Sequence, residues 1–134
     1  MLNSNYPPKR GFTSSEFEIR LIKAHKIMHK HQLDVLFLTM PANIRYFSGF
    51  DTQFLHSPTR PWFLVIPFGE EPIAVIPEIG KSVMQSTWIK NISTWHSPNP
   101  KDDGISLLSS IINGKNGKNN RVGAELGREM SLRM

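Results

Sequence analysis

Cysteine is absent from the 134 residues, which excludes a disulfide framework, a thiolate zinc site and a cysteine nucleophile, and fits a reducing compartment. No stretch reaches the ~18 consecutive apolar residues of a membrane-crossing helix. The segment Met1 to Gly11 is polar, contains proline, and lacks the apolar centre of a secretory signal. Residues 1–12 therefore read as a flexible leader, and the protein as cytoplasmic. Carboxylates are few, eleven Asp and Glu against sixteen Lys and Arg. The adjacent Asp102 and Asp103 suit a helix cap better than an acid–base pair. Ser48-Gly49 lacks the Gly-x-Ser-x-Gly frame of a nucleophile elbow. Gly114-Lys115-Asn116-Gly117-Lys118 lacks the spacing and the following Ser or Thr of a phosphate loop. No internal repeat is visible.

What remains is the composition of one globular domain. Apolar residues make up 39% and charged residues 20%, and a chain of this length buries roughly two-thirds of its unfolded surface. The net charge of +5 follows largely from Lys23, Lys26 and Lys30 on one predicted helix and from Lys115, Lys118 and Arg121 in a Gly/Asn-rich connection. Glu16 and Glu18 lie near the start of that helix and the lysines near its end, which complements the helix dipole. A solvated helix face accounts for the charge, so neither nucleic acid nor membrane is an expected partner. His25 and His29 stand four apart on the same helix, a spacing that can bind zinc. A third ligand and a His-Glu-x-x-His frame are both missing, so these histidines read as solvated and the chain as without a metal site or catalytic residue.

Thr13-Ser14-Ser15-Glu16 is a capping box. The helix it opens runs to about His31, with Phe17, Leu21, Ala24 and Met28 as one apolar stripe. Leu33 to Thr39 is a nearly all-apolar run that reads as a strand buried on both faces. Pro41 to Phe50 reads as a proline-marked turn and a short polar–aromatic segment stopped by Gly49. Trp62 to Ile66 and Ile73 to Ile76 read as an antiparallel hairpin, and Ile79 to Thr87 as a short helix with Pro77 in its first turn. A strand at Ile92 to Trp95, a helix capped by Asp102 or Asp103 and a strand at Arg121 to Glu125 follow. Glu129 to Met134 reads as the first turn of another helix, leaving Leu126, Met130 and Leu132 without a partner. The expected fold class is therefore α/β, a mixed sheet flanked by helices, in a domain cut short at its C-terminal end.

The loop from Asp51 to Trp62 concentrates Phe54, His56, Arg60 and Trp62 in a segment stiffened by Pro58 and Pro61. Aromatics beside a guanidinium suit the binding of a carboxylate or carbonyl oxygen, and the same residues are enriched where subunits meet. The alternative is that Trp62 begins a core strand, Phe54 plugs the core, and His56 and Arg60 are solvated.

Asn43-Ile44-Arg45-Tyr46-Phe47-Ser48-Gly49, placed after Leu33-Asp34-Val35-Leu36, resembles the N-terminal domain of the creatinase/prolidase/aminopeptidase P family. The resemblance runs from Phe17 through most of the chain, and Ser57-Pro58-Thr59-Arg60-Pro61-Trp62-Phe63 is similar to a subgroup of Xaa-Pro peptidases. It implies a ribonuclease H-like domain without ribonuclease activity, over residues 13–134. It also implies a following pita-bread domain that carries the chemistry on two divalent ions (Mn, Co or Zn), held by two Asp, one His and two Glu, none assignable in this chain. Family members are commonly dimers in which a loop of this domain reaches the neighbour's active site. Phe54, His56, Arg60 and Trp62 are the residues here that would do so, with Arg60 facing a substrate carboxylate. The chain is thus expected to be the non-catalytic part of a homodimeric peptidase-like hydrolase acting on a peptide or small amide, and inactive alone. The competing readings are a free-standing protein-interaction module and a basic nucleic-acid-binding domain.

Overall fold

The computed structural model describes residues 13–52, 55, 61–97, 99, 101–114 and 120–125. Helix α1 spans Ser14–Lys30, with Thr13 as its N-cap. The Thr13 hydroxyl accepts from the Glu16 N–H at 3.4 Å, and Phe17, Leu21, Ala24 and Met28 form its buried stripe. Strand β1 is Val35–Leu38, helix α2 Pro41–Ser48, β2 Phe63–Pro67 and β3 Ile73–Pro77. A 3-10 turn, Glu78–Gly80, leads into α3, Lys81–Gln85. Strand β4 is Asn91–Trp95, α4 Ile105–Asn113 and β5 Val122–Ala124.

The strands form one five-stranded sheet in the order β4-β3-β2-β1-β5. β2 runs antiparallel to β1 and β3, whereas β4 and β5 run parallel to their neighbours. The sheet is mixed, as the α/β reading requires. β2 is central and buried along all five residues, which is why Phe63 to Pro67 reads as a continuous apolar run rather than an alternating one. Its side chains still alternate between two cores. Leu64 and Ile66 join Leu21, Met28, Ile44 and Met84 on the face covered by α1, α2 and α3. Phe63 and Val65 join Val35, Val75 and Leu108 of α4 on the other.

The segment Pro41 to Ser48 departs from expectation: it is a helix, not a turn followed by an irregular stretch. Pro41 starts it, where a missing N–H costs nothing, and Gly49 ends it in the left-handed conformation at φ 78°. The family motif then reads as local chemistry. Ile44 is buried in the core. The Ser48 hydroxyl donates to the Ile44 carbonyl and accepts from the Phe50 N–H at 2.9 Å, closing the helix end. A Cβ on Gly49 would stand 2.9 Å from Phe17 Cζ, so both backbone angle and space demand glycine.

The start of α4 differs from expectation in position: neither Asp102 nor Asp103 is the N-cap, although the Asp102 carboxylate still reaches the first turn. Gly104 occupies the N-cap position at φ 85° and offers no side chain. Asp102, two residues earlier, accepts from the Ser106 N–H at 3.1 Å. Hydrogen bonds from Ser106, its side chain foremost and then its backbone, hold the Asp102 carboxyl below its ordinary value. A carboxyl lowered on folding stabilises the domain above its unfolded pKa and loses that contribution as pH falls through the folded one. Asp102→Asn is therefore expected to cost a little stability at neutral pH and nothing at strongly acidic pH. Denaturant titrations of both proteins across the acid range check this.

Candidate functional site

The loop predicted to carry recognition is rooted in the core at three points. Phe50 precedes it, Leu55 lies inside it and Trp62 closes it, all at most 1% exposed. The Leu55 N–H donates to the Thr52 carbonyl at 3.0 Å, and Asp51 pairs with Arg45 of α2 at 3.7 Å on the surface. The Trp62 and Phe50 rings lie 5.4 Å apart. On its other side Trp62 meets backbone: a Cβ on Gly80 would fall 2.2 Å from Trp62 Cζ3. The 3-10 turn can pass there because residue 80 has no side chain. Trp62 Nε1 is buried and has no acceptor among the described residues. Trp62 is thus a core anchor at the base of the loop, and its indole offers no outer surface in this chain. Phe54, His56 and Arg60 lie outside the described residues.

A second set of residues fixes the neighbouring helix. Glu125, just past β5, reaches the start of α2, where Met40 as N-cap supplies no side-chain bond of its own. Its Oε1 accepts from the N–H groups of Thr39 at 2.9 Å and Met40 at 3.2 Å, and its Oε2 accepts from Asn43 Nδ2 at 2.9 Å. The carboxylate does what an Asp or Ser cap would do, and complements the positive end of the helix. Asn43 of the motif is therefore a structural partner of the last strand. At the far end of α2, Arg20 of α1 donates to the Tyr46 carbonyl at 2.7 Å and lies 4.3 Å from the centre of the Tyr46 ring. Trp88 Nε1 donates to the Phe47 carbonyl at 2.8 Å. Nothing local in the sequence marks Glu125, Arg20 or Trp88 as clamps on α2, since their partners lie 26 to 86 residues away.

His25 and His29, separated by one helical turn, both pack on Phe68 in the β2–β3 turn, each with ring centres 5.8 Å apart. His25 Nε2 lies 3.1 Å from the Pro67 carbonyl. Among the described residues no group of three or more His, Asp or Glu could hold a metal ion, so these donors do not fit the dinuclear centre implied by the resemblance. An open groove of about 630 Å³ is lined by Glu18, Glu71, Lys81, Trp88 and Lys90. Glu71 and Lys90 already pair across it at 3.8 Å. No helix among the described residues is long and apolar enough to cross a membrane.

Residues 20–133 match the family model described as the creatinase/prolidase N-terminal domain. The chain belongs to this family. Its fold is shared with solved members. It is similar to a proline dipeptidase from Streptococcus pneumoniae at 21% identity and TM-score 0.64, over 79% of this chain and 73% of that one. The N-terminal domain of a Xaa-Pro dipeptidase from Lactobacillus brevis superposes with TM-score 0.68 at 15% identity, over 85% and 84% of the two chains. The prolidase from Pyrococcus furiosus matches at 22% identity and TM-score 0.56 over 84% of this chain, which spans 30% of that protein. No curated protein matches the sequence. In this chain the creatinase/prolidase N-terminal domain is the mixed sheet with α2, Pro41–Ser48, packed against it.

Proposed function

We propose that this domain is the non-catalytic N-terminal part of a cytoplasmic Xaa-Pro peptidase-like metallohydrolase, and that it serves dimerisation and completes the partner subunit's substrate pocket. The observation that carries the reading is the family match over residues 20–133. The arrangement of the loop supports it: a segment holding Phe54, His56 and Arg60, pinned by Phe50, Leu55 and Trp62, is a short recognition element on a rigid base. Arg60 faces the substrate carboxylate, because a guanidinium meets a carboxylate with two parallel hydrogen bonds. Phe54 and His56 wall the pocket or the interface, and Trp62 sets where the loop begins. The hydrolytic centre, with two divalent ions on two Asp, one His and two Glu, belongs to a catalytic domain outside this chain. Bound there, the two ions would supply the Lewis-acid chemistry of amide hydrolysis.

The coding sequence past residue 134 tests the division of labour. A continuation encoding those five ligands in order sustains it, and a stop codon directs the search to a separate partner. Arg60→Ala in the two-domain enzyme is expected to lower kcat/KM for an Xaa-Pro dipeptide by at least about tenfold, which corresponds to ~1.4 kcal/mol of transition-state binding. Unchanged kcat/KM removes Arg60 from the pocket.

A further inference from the structure

We propose that the outer face of α1 is a self-association surface on which a second copy of this chain lays its own α1 antiparallel. This rests on the homodimer reading above and names where the copies meet. The helix leaves Ile19, Ile22 and Ile27 exposed at 46%, 52% and 59%, although isoleucine is among the residues most often buried. Ser15, Ile19, Ile22 and Lys26 follow one another at steps of four, three and four, which places them in one line along the solvent side. Tyr46 of α2 and Phe68 of the β2–β3 turn, exposed at 44% and 41%, lie on the two flanks of α1, against Arg20 and against His25 and His29.

The charges decide the occupant and its direction. Glu16 and Glu18 lie in the first half of the helix, and Lys23, Lys26 and Lys30 in the second. Glu16 is engaged with Arg20 at 3.8 Å. Glu18 and the three lysines take part in none of the ion pairs among the described residues. A parallel pair would set the lysine-rich halves side by side. An antiparallel pair sets each against the other copy's acidic half and opposes the two helix dipoles. A two-fold axis near Ile22 then stacks Ile22 on Ile22, rests Ile19 on the methylene stem of Lys26, and brings Glu18 of each copy to Lys26 of the other. A 17-residue helix is only ~25 Å long, so this contact is smaller than the roughly 800 Å² per partner of a standard interface. The association is expected to be weak, reversible and weakened by salt.

Sedimentation of the chain over a concentration series, at low and high salt, is compared for wild type, Glu18→Lys, Lys26→Glu and the double reversal. All these positions are exposed, so circular dichroism should not change. The expected result is a salt-sensitive monomer–dimer equilibrium that each single reversal weakens at least about tenfold and that the double reversal restores. A dimer indifferent to all three variants overturns the α1 interface and leaves the homodimer reading standing. Single reversals that weaken without rescue by the double overturn the antiparallel arrangement. A wild-type chain that stays monomeric at every concentration overturns both proposals for this chain, including the case in which it binds vesicles of anionic lipid through the same lysines.

Discussion

Trp62→Ala is expected to lower the stability of the domain by about 3–5 kcal/mol, the usual cost of removing a fully buried large aromatic. Trp62 is 1% exposed, touches Phe50 on one side, and on the other fills the space left by the missing side chain of Gly80. Neither neighbour can follow a shrinking side chain: Phe50 is fully buried, and the 3-10 turn is continuous with α3. A cavity therefore remains. At a few degrees per kcal/mol for a domain of this size, the melting temperature should fall by about 10–20 °C. Trp62→Phe should cost far less, since it keeps a ring against Phe50 and removes an indole N–H that has no acceptor among the described residues. Thermal and denaturant unfolding of both variants test this. Equal stability of Trp62→Ala and wild type would show that the loop is not rooted at this residue. Under the proposed pocket role, a loop released at its base would lose the preorganisation that binding requires.

Glu125→Ala should be nearly as damaging, at about 2–4 kcal/mol. The change removes three acceptor contacts at once, one of them from the N–H of Thr39, a buried residue. An unpaired N–H at that depth costs more than the bond itself returned. Glu125→Gln should retain most of the stability, since its carbonyl oxygen still serves Thr39 and Met40, and Asn43 can turn its amide to accept from the new NH₂. Hydrogen exchange localises the effect: the amides of Thr39 and Met40 should exchange much faster in Glu125→Ala, ahead of those in β2. Exchange that rises evenly over the whole domain would mean that Glu125 acts on global stability and not as the cap of α2.

Most of the secondary structure was legible because it is written in local terms. The Thr13 cap and the Phe17–Met28 stripe locate α1, alternating or continuous apolar runs locate the strands, and Asp102 locates the start of α4. The hairpin of β2 and β3 follows from the short connection through Gly69. The helix at Pro41–Ser48 escaped the same reasoning. Its eight residues carry one fully buried apolar side chain, Ile44, which is too few to display a period. Its stability comes from elsewhere: Glu125 at one end, Arg20 and Trp88 toward the other. In the loop from Asp51 to Trp62, composition grouped Trp62 with Phe54, His56 and Arg60 as a candidate contact residue, beside the alternative that it begins a core strand. Burial sets Trp62 apart, because an indole packed on a glycine 18 positions later in the chain leaves no local trace.

The sequence by itself determined that this is a cysteine-free α/β domain with a mixed sheet, and the motif at Asn43–Gly49 pointed to its family. The composition, the elements and the motif depend on residue type and short spacing, and the mixed sheet was inferred from the order in which helices and strands follow one another. Tertiary structure alone decided that the motif is a helix, that the carboxylate of Glu125, just past β5, caps it, and that Trp62 anchors the loop. It also left three isoleucines and a segregated set of charges on the outside of α1. Each of those outcomes depends on which distant segments the sheet order brings together. The parallel pairing of β5 with β1 brings Glu125 to the start of α2 through a crossover that no local pattern encodes.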